Sequence, residues 1–118
     1  MMITKQALEN RTVRFLSNRY KIEINKFKTN VNHSKPHEGL KKRVLNWLVK
    51  HGYNVVCEAR FKGKLGRGDL LILNPPICLE IMVSETEERL SSKKYPVKTI
   101  GIKKIKEVKE LFQNKTFI

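Results

Sequence analysis

The 118-residue sequence predicts an α/β domain, with one mixed sheet covered by helices. Three observations lead there. Residues 34–52 carry apolar side chains at helical spacing. Residues 53–83 then hold three strand-like runs joined by short turns, and the remainder reads helix, strand, helix. A chain 40% hydrophobic and 31% charged is ordinary for a protein folding around one core, and its length suits one domain.

Residues 1–33 form a basic N-terminal extension whose order the sequence does not define. TKQALENRTVRFLSN can make a short helix, with Arg11 and Arg14 on it, and RYKIEINKF alternates Tyr20, Ile22 and Ile24 as a strand does. His33 reads as one more extension residue. The domain proper spans 34–118. Ser34 caps a helix that Pro36 helps to start. Leu40, Val44, Trp47 and Leu48 recur along it, and Gly52 closes it. Tyr53, Val55, Cys57, Ala59 and Phe61 alternate with Asn54, Val56, Glu58 and Arg60, predicting a first strand with one face apolar. KGKLGRG is a hairpin loop, GDLLILN a second strand, Pro75-Pro76 a tight connection and ICLEIMVS a third strand. Ser84 with Glu87 makes a capping box for a helix over ETEERLSSKK, which Pro96 stops. VKTIGI is the fourth strand, and Ile105, Val108, Leu111 and Phe112 mark a last amphipathic helix.

Lys and Arg outnumber Asp and Glu 25 to 11, for a net charge of +14. Such a charge is matched to a polyanion, with nucleic acid the first expectation and an anionic membrane surface the second. No apolar run is long enough to span a bilayer, and MMITKQALEN lacks the apolar segment of a signal peptide, so the expected location is cytoplasmic. Cys57 and Cys78 lie in separate apolar segments without metal-ligand spacing and read as buried free thiols.

The chemistry-bearing residues sit around GDLLILNPPICLEIM. Asp69 opens the second strand and Glu80 lies in the third. The Pro-Pro turn folds the two strands antiparallel, so both acids fall at the end of the hairpin away from the turn. Two carboxylates held close need a cation or a shared proton, and oxygen ligands of this kind suit Mg²⁺. The alternative is that Asp69 belongs to the loop and Glu80 faces solvent. Glu38 shares a helical line with Leu45 and Val49 and so begins an inward-facing row. Its alternative role is to favour the positive helix N-terminus.

This order of elements, with Glu38 on a helix, Asp69 on a strand and Glu80-Ile81-Met82 on the next, resembles the PD-(D/E)XK nuclease superfamily, which includes restriction endonucleases and archaeal Holliday junction resolvases. The resemblance covers roughly residues 34–114 and implies a restriction endonuclease-like αβββαβα core. It also implies Mg²⁺ or Mn²⁺ held by Asp69, Glu80 and the Ile81 carbonyl, with water hydrolysing a phosphodiester bond. The sequence departs from the family at Met82, where a lysine would stand to orient water and stabilise charge. Lys93 or Lys94 on the following helix can replace it, as in some family members, and Arg67 is another cation in reach.

Other motifs are incomplete. His37-Glu38 begins a zinc-protease pattern, but Lys41 stands where its second histidine belongs, and GKLGRGD lacks the spacing of a phosphate-binding loop. The expected function is a DNA-binding, metal-dependent endonuclease, acting on branched or processed DNA. Lys62, Lys64, Arg67, Arg11, Arg14, Lys103, Lys104, Lys106 and Lys109 would contact phosphates. The resemblance also implies a homodimer as the working form. Two alternatives stand beside it: a degenerate nuclease that binds DNA without cutting, and a basic RNA-binding domain. The 8% aromatic content and the lack of paired stacking aromatics weigh against the second.

Overall fold

The computed structural model describes residues 3–83 and 86–114. Four α-helices and four strands follow in order among them, with a 3-10 turn at Lys62–Lys64 between the first two strands: α1 (Lys5–Val13), α2 (Lys35–Lys50), β1 (Val55–Arg60), β2 (Arg67–Ile72), β3 (Ile77–Ile81), α3 (Glu87–Ser91), β4 (Lys98–Ile102) and α4 (Ile105–Asn114). The fold is α/β. Its one described sheet has the spatial order β1-β2-β3-β4, with β1, β2 and β3 antiparallel and β4 parallel to β3. The parallel pair requires a crossover, and α3 lies within it.

Local chemistry sets α2. The Ser34 hydroxyl accepts from the His37 amide at 3.2 Å, satisfying one of the free donors of the first turn. Gly52, at φ 88°, turns the chain out of the helix into β1. The inward stripe of α2 (Leu40, Val44, Leu45 and Leu48) packs with Val108 and Phe112 of α4 on one sheet face, against Leu70, Ile72, Leu79 and Ile81. On the other face Leu16, Val56, Leu71, Leu73 and Cys78 form a second core. Burial of both faces explains why β2 and β3 read as continuous apolar runs. Cys57 and Cys78 are buried free thiols, one in each core.

Four expectations are corrected. β1 does not keep one apolar face: Val55 and Cys57 pack towards α2, whereas Ala59 and Phe61 join the opposite core. The cause is Glu58, whose φ of 54° places it in the left-handed region and switches the alternation. RYKIEINKF is not a strand. It contributes one bridge, Ile24 to Val56, with Tyr20 and Ile24 about half exposed. The capping-box Ser84 lies outside the described residues, and Thr86 caps α3 instead, accepting from the Arg89 amide. That helix is also shorter than expected.

The extension is built onto the sheet. Thr12 of α1 donates to the Leu73 carbonyl at 2.6 Å, and Asn54 donates to the Glu9 carboxylate. The chain then crosses to the outer edge of β1. There Asn25 bonds Val55 through both its amide and its side chain, and Lys28 meets the Cys57 sulfur. An edge strand covered in this way cannot template further pairing. Among the described residues no helix is long and apolar enough to cross a membrane.

Candidate active site

Three acids fall on one row of the sheet. The β1–β2 ladder pairs Cys57 with Leu70 and Ala59 with Gly68, but skips the rung between Glu58 and Asp69. The β2–β3 ladder ends at Leu70–Leu79, one rung short of Asp69–Glu80. Side chains replace the missing main-chain bonds. The Ile81 amide donates to Asp69 Oδ2 at 2.8 Å, and the Asp69 amide lies 3.3 Å from Glu80 Oε1. Gly68 makes this approach possible, since a Cβ there would collide with the Cys78 sulfur and crowd Glu80. Asp69 and Glu80 are both buried, at 4% and 1% exposure, so neither the loop position for Asp69 nor a solvent-facing Glu80 holds.

Both acids have basic neighbours. Lys93 Nζ is 3.3 Å from Glu80 Oε2, and His37 Nε2 is 3.3 Å from Asp69 Oδ2. The neighbours do not compensate equally. Burial, then the charge of Asp69, push the Glu80 carboxyl up to about 7. Burial also acts to raise Asp69, but the His37 imidazole and the Ile81 amide outweigh it and hold that carboxyl low. Burial lowers His37, yet Asp69 and Glu38 together carry it above the usual histidine value.

Beside this pair stands a closed network. Lys41 is fully buried, with its ammonium 2.6 Å from Glu38 Oε2 and 3.0 Å from Glu58 Oε2. Burial acts to lower the Lys41 ammonium, but the two carboxylates raise it beyond the ordinary lysine value. Arg67 Nε reaches Glu58 Oε1 at 3.2 Å, Asn30 donates to the same oxygen, and the Asn30 amide donates to Glu38. Glu38 therefore points inward but pairs with Lys41, and His37 lies between it and Asp69.

The expected site residues separate as follows. Glu38, Asp69, Glu80, Ile81, Lys93 and Arg67 converge. Lys94 is exposed, as are Lys62, Lys64, Arg11, Arg14, Lys103, Lys104, Lys106 and Lys109. Lys103 and Lys106 pair loosely with Glu87 and Glu110. Met82 is a core side chain, and a Cβ on Gly101 would press on it and on Leu90 at 2.9 Å.

Sequence reasoning missed His33, His37, Lys41 and Glu58. His33 is no bystander: its Nδ1 lies 4.0 Å from Asp69 Oδ1, and its ring sits 3.9 Å from that of His37. One signal was available, since Lys41 follows Glu38 at i+3 beside Leu40 and Val44, on the inward side of α2. His33 carried none, because a loop has no periodicity.

The residues suit a divalent ion. The Nδ1 atoms of His33 and His37 are buried without a hydrogen-bond partner among the described residues. His33, His37 and Glu38, and likewise His33, Glu58 and Asp69, bring one donor atom each within 4.8 Å of one another. Carboxylates mixed with imidazoles favour Mn²⁺ and later first-row ions over Mg²⁺. Compared with known proteins, the chain matches no family model, no curated protein and no solved structure.

Proposed function

We propose that this chain is a DNA endonuclease of the PD-(D/E)XK kind, dependent on Mn²⁺ or Mg²⁺, with Lys93 in place of the lysine that Met82 displaces. The observation carrying this reading is the Lys93 ammonium 3.3 Å from Glu80, beside a buried Asp69 on the neighbouring strand. The element order from α2 to α4 and the mixed four-stranded sheet support it. Asp69, Glu80 and the Ile81 carbonyl would hold the ion, next to His33 and His37. Bound there, it would polarise a phosphate oxygen and acidify a water. Lys93 would stabilise charge on the transferred phosphoryl group, and His37 would fix the orientation of Asp69.

The basic loop from Lys62 to Arg67 borders this site through the Arg67–Glu58 ion pair, which is where a phosphate backbone would approach. A homodimer would present two such sites to two strands. The second reading, binding without cutting, is favoured by the buried Met82. Incubation with supercoiled, linear and branched DNA in Mn²⁺, Mg²⁺ or EDTA decides between them. Metal-dependent cutting, lost in Asp69→Ala and in Glu80→Gln, is expected. Tight binding with no cutting in any metal would establish the second reading instead.

A further inference from the structure

A cleft of about 730 Å³ opens between residues 17–20 and the loop joining β1 to β2. Its charged lining is entirely basic: Arg19, Arg60, Lys62, Lys64 and Arg67, with no acid among them. Main-chain bonds fix its walls, from the Ser17 amide to the Arg60 carbonyl at 2.8 Å and from the Lys62 amide to the Phe15 carbonyl at 2.9 Å. Tyr20 also lines the cleft. The Arg60 guanidinium stacks 4.2 Å from the centre of its ring, and the residue is 49% exposed. A second cleft, of about 310 Å³, shares Tyr20, Arg60 and Arg67 with the first and reaches Glu58 at the edge of the acid cluster.

Phosphates alone would account for the cations, and any nucleic acid supplies those. The half-exposed, arginine-backed aromatic ring asks for something more. Bases within a duplex hide their faces in the stack, whereas an unpaired base offers one, and stacking on aromatic side chains is how single strands are held without sequence preference. We propose that this cleft takes an unpaired DNA strand, with one base stacked on Tyr20 and neighbouring phosphates on Arg19, Lys62 and Lys64. Resting on the nuclease reading for its role, the cleft gives that site its substrate class: DNA with a single-stranded segment beside a duplex, which Arg67 leads towards the acids.

The test measures binding by fluorescence anisotropy, in EDTA so that nothing is cut. The probes are a labelled single-stranded oligonucleotide, its blunt duplex and a fork carrying both. Tyr20→Ala is expected to weaken binding to the single strand and the fork about tenfold, with the blunt duplex within about twofold, while Tyr20→Trp retains wild-type binding. Circular dichroism of each variant shows that it is folded. Equal losses on all three probes, no loss on the single strand, or stronger binding to RNA of the same sequence would overturn the proposal. Cleavage of the fork with Mn²⁺ is scored separately. Binding that depends on Tyr20 without cleavage leaves the cleft standing and removes the nuclease reading. Cleavage with single-strand binding indifferent to Tyr20 does the reverse.

Discussion

Glu38 and Glu58 share one fully buried ammonium, whereas Asp69 and Glu80 divide between them a lysine near the surface and the imidazoles of His37 and His33. The two pairs are neighbours, one at the α2–β1 contact and the other across β2 and β3, and both are pairs of carboxylates taken largely out of water. The first is closed by charge: Lys41 lies against both acids, and Arg67 and Asn30 also bond Glu58. The second stays short of positive charge, and burial together with the charge of Asp69 carries Glu80 up to about 7. Like charges at close range build a stable scaffold where the counter-ion is covalently part of the fold. Where it is not, the repulsion is left for a bound cation or a proton to relieve.

The largest test of that contrast is on the closed pair. Lys41→Ala strands two carboxylates and should cost about 3–5 kcal/mol in urea denaturation. Adding Glu38→Gln and Glu58→Gln to Lys41→Met should recover most of it, and no recovery would mean that Lys41 serves packing rather than charge. On the open pair, Lys93→Ala should lower cleavage roughly 100- to 1000-fold by loss of a charged group at the reacting phosphate. DNA affinity should stay within about twofold, and Lys94→Ala, at an exposed position, should retain full activity. Full cleavage by Lys93→Ala combined with Lys94→Ala would remove the lysine from the mechanism.

A smaller effect appears in the stability of the metal-free protein against pH. The folded Glu80 carboxyl is raised from 4.5 to about 7. Its contribution is therefore fully present below the unfolded value and is lost as the pH climbs through about 7. Asp69 works in the opposite sense, because its folded carboxyl is held below 3.8: its contribution is present above that value and lost only as strong acid protonates it. Thermal unfolding should thus show wild-type stability declining between these Glu80 limits and a shallower decline for Glu80→Gln, in which His37, raised above its usual value, still loses its contribution as the pH rises. Mn²⁺ should restore the wild type more at about pH 8 than at about pH 6, and should do little for Glu80→Gln. Smallest of all, Lys62→Ala with Lys64→Ala should reduce the slope of log affinity against log salt by about 2, without changing which DNA is preferred. A slope unaltered by that double change would place the phosphate contacts elsewhere.

Much of this was legible in the residues. The order from α2 to α4 follows from spacing, caps and turn residues, each a local property that survives folding. Asp69 and Glu80 were legible because a hairpin with a defined turn fixes which positions meet. Glu58 was not, since one left-handed residue reverses the inside and outside of β1 and no spacing rule anticipates it. His37 and Lys41 were read as parts of a failed zinc pattern, which concealed that each faces an acid. Residues 15–33 lack periodicity because they are held by edge bonds and single side chains, not by a repeating apolar face.

That strap has a practical consequence. The composition invites a boundary before Ser34, and a chain begun there would look complete by its helices and strands. It would lack Asn25 and Lys28, leaving the outer edge of β1 bare and open to association with other chains. It would lack Asn30 and His33, and with them part of the balance of the acid row. Poor solubility or lost activity in so trimmed a protein would then report on a missing piece of the domain, not on a defect in its chemistry.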